Sequence, residues 1–127
     1  MTHALVIDDD LGNLGVLQQL LTLEHISYTS IQDSSQVEKI LPRLPKIDIV
    51  FLDLEMPDVN GYEMLVLLKR HPALAGVPVV ACTVHAGEVH RAREWGFHSF
   101  ICKPLDADRF PAQIKEILND APIWEVR

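Results

Sequence analysis

Short apolar blocks and longer amphipathic blocks follow one another along the whole chain. The block from Thr2 to Ile7 is short and mostly apolar, as expected of a buried strand. From Asn13 to Leu23 the leucines fall on one face of a helix. In this way strands are predicted at 2–7, 27–31, 47–52, 77–82 and 99–102, and helices at 13–23, 34–41, 61–70, 88–95 and from about 106 to 119.

Caps and helix-breaking residues fix where several of these helices end. Asp33 or Ser34 is a candidate cap for the second helix, Asn60 or Gly61 for the third and Asp106 for the last. Prolines or a glycine follow the second, third and fourth helices, at Pro42, Pro45, Pro72 and Gly96. Pro111 fits the last helix only in or near its first turn, so that helix is expected to start late.

The alternation of strand and helix predicts one doubly wound α/β domain. Strands separated by helices of this length pair in parallel through right-handed crossovers. Near-continuous apolar strands indicate a five-stranded sheet that is covered by helices on both faces. With 127 residues and no linker-like segment, we expect one domain over residues 1–120 and a short tail over 121–127, where Trp124 is the large apolar anchor.

Composition excludes several classes of protein and partner. The net charge of −7 argues against direct binding of nucleic acid and suits a basic partner or a bound cation. No apolar run reaches the length of a membrane span and no secretory leader is evident, so we expect a cytoplasmic protein without membrane attachment. Cys82 and Cys102 lack the spacing of a metal site and are interpreted as buried thiols.

Polar residues stand where four of the five predicted strands end. Asp8 and Asp9 follow the first strand, Asp53 the third, Thr83 the fourth and Lys103 the fifth. In an open parallel sheet, ligands bind outside these carboxyl ends. Carboxylates gathered there would hold a hard divalent ion such as Mg²⁺. An ammonium and a hydroxyl beside them favour phosphoryl transfer, with Asp53 as the nucleophile.

Each of these residues also has an ordinary structural interpretation. Taken alone, Asp53 is a common turn or cap residue, and Asp8 and Asp9 are compatible with capping the first helix. Thr83 alone is more often a structural hydroxyl, and Lys103 alone a solvated charge. Their ordered occurrence at the strand ends favours the functional interpretation.

The ordered set resembles the receiver domain of two-component response regulators. The likeness spans residues 3 to about 119 and includes Asp8-Asp9, the stretch "DLEMPDVNG" that begins at Asp53, Thr83, and the pair Lys103-Pro104. It implies the strand order 2-1-3-4-5 and an Asp53 that accepts phosphate from a phosphohistidine. It also implies that Asp8, Asp9, Asp53 and the backbone carbonyl of Glu55 hold Mg²⁺ or Mn²⁺, directly or through water. Met56, Pro57 and Gly61 would shape the loop that leaves the site.

Further roles follow from the same resemblance. Thr83 and Lys103 would contact the phosphoryl group, and the Lys103–Pro104 bond would be cis. Phe100 stands at the position of a switch aromatic and, without a hydroxyl, would act by packing. The side chains of Glu55 and His85 would flank the path of the attacking water and tune the lifetime of the phosphorylated state.

Partners are implied by the resemblance as well. The donor would be a sensor histidine kinase or a histidine phosphotransfer protein. The signal would leave through the face formed by the fourth helix, fifth strand and fifth helix, toward a downstream protein. The chain would promote its own phosphorylation and dephosphorylation without being an enzyme, and the sequence leaves a homodimer open.

Two other functions remain open from the residues. A phosphatase or phosphotransferase of the haloacid dehalogenase type also uses a strand-end aspartate with Thr or Ser and Lys. Its nucleophile loop, however, carries an acid two residues onward within DxDxT, whereas this chain reads Asp53-Leu54-Glu55-Met56-Pro57. The second alternative is a receiver-like binding module that is never phosphorylated, which the intact acidic set disfavours.

Overall fold

A single parallel sheet of five strands forms the centre of the molecule. The computed structural model describes residues 1–56 and 59–125. The strand order is β2-β1-β3-β4-β5, and every neighbouring pair is parallel, as predicted. The strands are β1 His3–Ile7, β2 Ser27–Ile31, β3 Ile49–Asp53, β4 Val79–Thr83 and β5 Ser99–Cys102.

Helices connect successive strands, and their ends have identifiable causes. Asp10 caps the first helix by accepting the backbone N–H of Asn13, and Asn60 caps the third by accepting that of Glu63. The fourth helix ends at Gly96, whose φ of 99° lies in the left-handed region that glycine tolerates. The helices are α1 Leu11–Leu23, α2 Val37–Ile40, α3 Gly61–Arg70, α4 Val89–Trp95 and α5 Phe110–Leu118, with short 3₁₀ turns at Ser34–Gln36, Leu41–Arg43, Pro72–Leu74 and Ala86–Glu88.

The helices cover both faces of the sheet, which confirms the predicted architecture. Buried side chains of α1 and α5 pack with one set of strand residues, including Phe51 and Val80. Buried side chains of α2, α3 and α4 pack on the opposite face, with Leu52 and Ala81 among the strand residues there. Because side chains alternate across a strand, each strand contributes to both cores.

Several element boundaries differ from the predicted ones for local reasons. Strand β4 begins at Val79, since Pro78 has no N–H and only its carbonyl joins the ladder, by accepting the N–H of Val50. Asp106 was expected to cap α5, but its side chain accepts the N–H groups of Asp108 and Arg109 in the preceding turn. Helix α5 starts at Phe110, so Pro111 lies in its first turn as anticipated.

A short segment near the C-terminus lies along the outer edge of β5. Trp124 pairs in parallel with Phe100, and we call residues 123–125 the C-terminal strap. The sequence predicted only a tail over 121–127, the last two residues of which lie outside the described part of the chain. The suggested contribution of Pro57 to the loop after β3 lies outside it too.

Candidate functional site

Three carboxylates meet at the carboxyl edge of the sheet. Asp8 directly follows β1, and Asp53 is the last residue of β3, the neighbouring strand. Asp8 and Asp53 are each 6% exposed, and Asp9 is partly buried. One oxygen from each of Asp8, Asp9 and Asp53 lies within 4.8 Å of the others. The structure therefore brings together the three acids that the sequence predicted as a cluster.

Lys103 reaches into this cluster from the end of β5. Its ammonium lies 2.8 Å from Oδ2 of Asp8 and 3.3 Å from Oδ1 of Asp53. Its backbone N–H donates to the carbonyl of Thr83 at 2.8 Å, which fixes the start of the loop after the strand. The Lys103–Pro104 bond is cis, as predicted. One buried ammonium thus bridges two buried carboxylates.

Burial and charge together set the protonation of these groups. Burial raises the pKa of Asp53 to about 6; the Lys103 ammonium opposes this rise, and the Asp8 carboxylate adds to it. Burial also disfavours the charged form of Lys103, but the hydrogen bond to Asp8 and the charge of Asp53 outweigh it, so the pKa of Lys103 is raised. In the described part of the chain, one ammonium therefore faces two buried carboxylates and neutralises only one of their charges.

The side chains of Thr83, Glu55 and His85 form a second group beside Asp53. Thr83 is fully buried at the end of β4, and its hydroxyl donates to Oε1 of Glu55. The same hydroxyl accepts the backbone N–H of His85 at 3.1 Å. Nε2 of His85 lies 3.3 Å from Oε2 of Glu55, with both side chains largely exposed. In this state, therefore, the Thr83 hydroxyl is engaged with Glu55.

Glu55 is also connected to Asp53 through its backbone. Its N–H donates to Oδ1 of Asp53 at 3.2 Å. Sequence reasoning placed Glu55 and His85 near the site but missed the contact of the Glu55 side chain with Thr83. The offsets of two residues after Asp53 and after Thr83 were the available signal, because they place both residues in the adjoining loops.

Phe100 is separate from the acidic cluster. It lies in the middle of β5, opposite Ala81 of β4, and its side chain is fully buried. Ala81 and Thr83 point to the same face of the sheet, so Phe100 is a diagonal neighbour of Thr83 on that face. Its ring is packed in the core shared by α2, α3 and α4.

The donor set at the sheet edge fits a hard divalent cation. Magnesium prefers carboxylate and carbonyl oxygens, and Asp8, Asp9 and Asp53 offer three carboxylates from two adjacent strand ends. Such an ion would supply the positive charge that Lys103 alone does not. With such an ion bound, the ammonium and the Thr83 hydroxyl would complete an environment suited to an incoming phosphoryl group.

Comparison with known proteins shows the family of this chain. Residues 4–115 match the family model of the response regulator receiver domain. The chain belongs to this family. The polar-differentiation response regulator DivK of Brucella ovis is 32% identical to this receiver domain over 120 residues, which cover 92% of the chain and 96% of DivK. The family resemblance predicted from the sequence is thereby confirmed, and the phosphatase alternative is not favoured.

Solved structures share the fold of this receiver domain. A response regulator from Desulfuromonas acetoxidans superposes with a TM-score of 0.81 at 24% identity, covering 94% of this chain and 98% of that one. The chemotaxis response regulator CheY4 of Vibrio cholerae gives a TM-score of 0.80 at 14% identity, covering 92% of this chain and 98% of that one.

Within residues 1–56 and 59–125, no helix is long and apolar enough to cross a membrane.

Proposed function

We propose that Asp53 is the phosphoryl acceptor of this receiver domain, in a reaction that depends on Mg²⁺ or Mn²⁺. The observation that carries the proposal is the position of Asp53, buried at the end of β3 beside Asp8, Asp9 and the ammonium of Lys103. A sensor histidine kinase or a histidine phosphotransfer protein would supply the phosphoryl group from a phosphohistidine.

The transfer exchanges one bond to phosphorus for another. A carboxylate oxygen of Asp53 attacks the phosphorus, an O–P bond forms, and the P–N bond to the donor imidazole breaks. The bonding electrons leave with the imidazole nitrogen. Lys103, whose ammonium lies 3.3 Å from Oδ1 of Asp53, would offset the charge of the phosphoryl oxygens. When bound by Asp8, Asp9, Asp53 and the Glu55 carbonyl, the divalent ion supplies further positive charge at the same place.

Phosphorylation would change the partner of the Thr83 hydroxyl. In the present state this hydroxyl donates to Glu55. A phosphoryl group on Asp53 offers a more strongly charged acceptor, and Thr83 would turn toward it. The space that Thr83 leaves lies diagonally beside Phe100, whose ring would then repack. The face formed by α4, β5 and α5 would carry this change to a downstream protein.

The remaining expectations concern the context of this reaction. The chain acts as a signalling protein that promotes its own phosphorylation and dephosphorylation rather than as an enzyme with a separate substrate. Its output passes through protein contacts in the cytoplasm, without direct binding of nucleic acid, and a homodimer is one form such a contact can take. We expect Glu55 and His85, which lie beside Thr83, to influence the lifetime of the phosphorylated state.

Labelling with a small phosphodonor tests the acceptor. The parent chain and Asp53→Asn are incubated with acetyl phosphate, with Mg²⁺ and with a chelator, and the mass of each chain is measured. We expect labelling of the parent only, and only with the ion. Undiminished labelling of Asp53→Asn would refute the assignment, and turnover of a generic phosphomonoester would revive the phosphatase alternative.

A further inference from the structure

The C-terminal strap has the geometry of an added strand on β5. The N–H of Phe100 donates to the carbonyl of Ile123 at 2.7 Å, and the N–H of Glu125 donates to the carbonyl of Phe100 at 3.0 Å. Consecutive strap residues face opposite sides: Ile123 packs against the core of α1 and α5, and Trp124 against the core of α2, α3 and α4. Backbone groups at the edge of β5 are therefore occupied by the chain itself.

Side chains anchor the strap to the helices on both sides of β5. Glu125 is only 7% exposed, and its carboxylate accepts the N–H of Cys102 and the side-chain amide of Gln113 on α5, both at 2.9 Å. On the other side, the guanidinium of Arg93 on α4 lies 5.2 Å from the ring of Trp124. Because the buried carboxylate of Glu125 accepts two hydrogen bonds, the strap occupies a specific binding site on the domain.

We infer that the strap covers the α4–β5–α5 face while Asp53 is unphosphorylated and is released when Asp53 is phosphorylated. The inference rests on the proposed function, because it takes phosphorylation of Asp53 as the trigger. Release opens the edge of β5 to a partner segment that pairs in the same way, with an extended backbone and an aliphatic–aromatic–acidic sequence. The strap and such a partner compete for one edge.

The connection between the strap and the site runs through the end of β5. Cys102, which donates to Glu125, directly precedes Lys103, which holds Asp8 and Asp53. Phe100, whose backbone holds the strap through both its N–H and its carbonyl, is also the residue whose ring would repack when Thr83 turns. The phosphoryl group and the strap thus both act on β5, a strand of four residues. A rearrangement of β5 that stabilises the phosphorylated site can therefore weaken the binding of the strap.

Amide hydrogen exchange on the full chain measures strap release directly. The amides of Phe100 and Cys102 are compared with those of β1 and β3, with and without Mg²⁺ and beryllium fluoride, a stable mimic of the phosphoryl group. We expect the mimic to accelerate exchange at Phe100 and Cys102 by at least about tenfold and to leave β1 and β3 unchanged. Labelling of Asp53 by acetyl phosphate is checked on the same preparation.

Two variants and a matched control separate this role from a merely structural one. Trp124→Ala removes the anchor on α4, and Trp95→Ala removes the other tryptophan, which packs against Tyr62. We expect Trp124→Ala alone to expose the Phe100 and Cys102 amides without the mimic. By reciprocity it also tightens binding of the mimic, by about fivefold or more. If Trp124→Ala fails to fold, Glu125→Gln, which keeps the shape of the side chain, serves instead.

A peptide of residues 120–127 added in trans tests the edge of β5 as a docking site. It should bind the Trp124→Ala chain and the mimic-bound parent more tightly than the resting parent. Suppose that Asp53 is labelled but the amides of Phe100 and Cys102 stay protected from exchange at saturating mimic. This result would overturn the strap inference and leave the proposed function standing. Failure of Asp53 to take phosphate would instead remove the proposed function and the inference with it.

Discussion

Gly61 provides a sharp test of how closely α3 approaches the loop that carries the site. The helix begins where the N–H of Gly61 donates to the carbonyl of Leu54 at 3.0 Å. A Cβ placed on Gly61 would lie 2.6 Å from Cα of Leu54, 2.7 Å from its Cδ2 and 2.9 Å from the carbonyl oxygen of Asp53. Two of these three atoms belong to the backbone, so relief requires movement of the helix or of the loop.

The expected cost of Gly61→Ala follows from this contact. Forcing an extra carbon into a packed region typically costs about 1–3 kcal/mol. At the size of this domain, a loss of about 2 kcal/mol lowers the Tm by about 5–10 °C. Since the displaced atoms include Asp53 and its neighbour Leu54, the variant should also be phosphorylated more slowly by a small phosphodonor.

Gly15 offers the matched control because the same substitution there meets open space. It lies on the exposed side of α1, and a Cβ added to it has no atom within 4 Å. Alanine is favoured over glycine inside a helix by about 0.5–1 kcal/mol, so Gly15→Ala should be stabilised. Thermal and urea unfolding followed by circular dichroism measure both variants. Equal stability of Gly61→Ala and the parent would show that the close approach does not constrain the fold.

Further predictions concern the charges of the site. Because burial raises the pKa of Asp53 to about 6, the folded chain holds a proton that the unfolded chain has released, and stability falls as the pH rises from about 4 to 7. In Mg²⁺-free buffer, the free energy of unfolding of the parent, measured with urea, should fall over this pH range by an amount on the order of 1–3 kcal/mol, and that of Asp53→Asn should not. The same dependence of this free energy on pH in both proteins would contradict the prediction. Added Mg²⁺ should raise the Tm of the parent more than that of Asp53→Asn, and a chelator should reverse this. Glu55→Ala, His85→Ala and the double variant should each change the rate at which Asp53 loses its phosphoryl group. Three rates equal to that of the parent at every pH from about 6 to 8 would exclude a role for both side chains.

Much of the fold was predictable because its signals are local. Apolar blocks bounded by caps and prolines place all five strands, and β2 and β5 have the predicted bounds. Some boundaries are shifted by a single local residue, as by Pro78 at the start of β4, and others coincide with contacts between distant parts of the chain. β3 starts at Ile49 rather than at 47. Asp48, just before it, pairs with His3: its N–H donates to the carbonyl of His3, and its side chain accepts the N–H of His3. A contact between residues so far apart in the chain cannot be predicted from the periodic pattern of a single sequence.

The main residues of the candidate site were predictable because they directly follow, or end, predicted strands. Parallel strands carry their terminal residues to one edge, so Asp8, Asp53 and Lys103 were expected to meet, and they do. The direction of the Glu55 side chain depends on where β4 ends in space, and the sequence carries no such information. The strap contains three residues, which is too short for an alternation of polar and apolar positions to be read.

The two buried cysteines, Cys82 and Cys102, allow the opening of each face of the sheet to be measured by thiol modification. Burial raises the pKa of the Cys82 thiol to about 12, so at neutral pH it reacts with thiol reagents only when its surroundings open. Cys82 packs with the core of α1 and α5, and Cys102 with the core of α2, α3 and α4, where its thiol donates to the carbonyl of Glu125. The rate of thiol modification at each position therefore reports the opening of one face of the sheet, in the native sequence and without any added label.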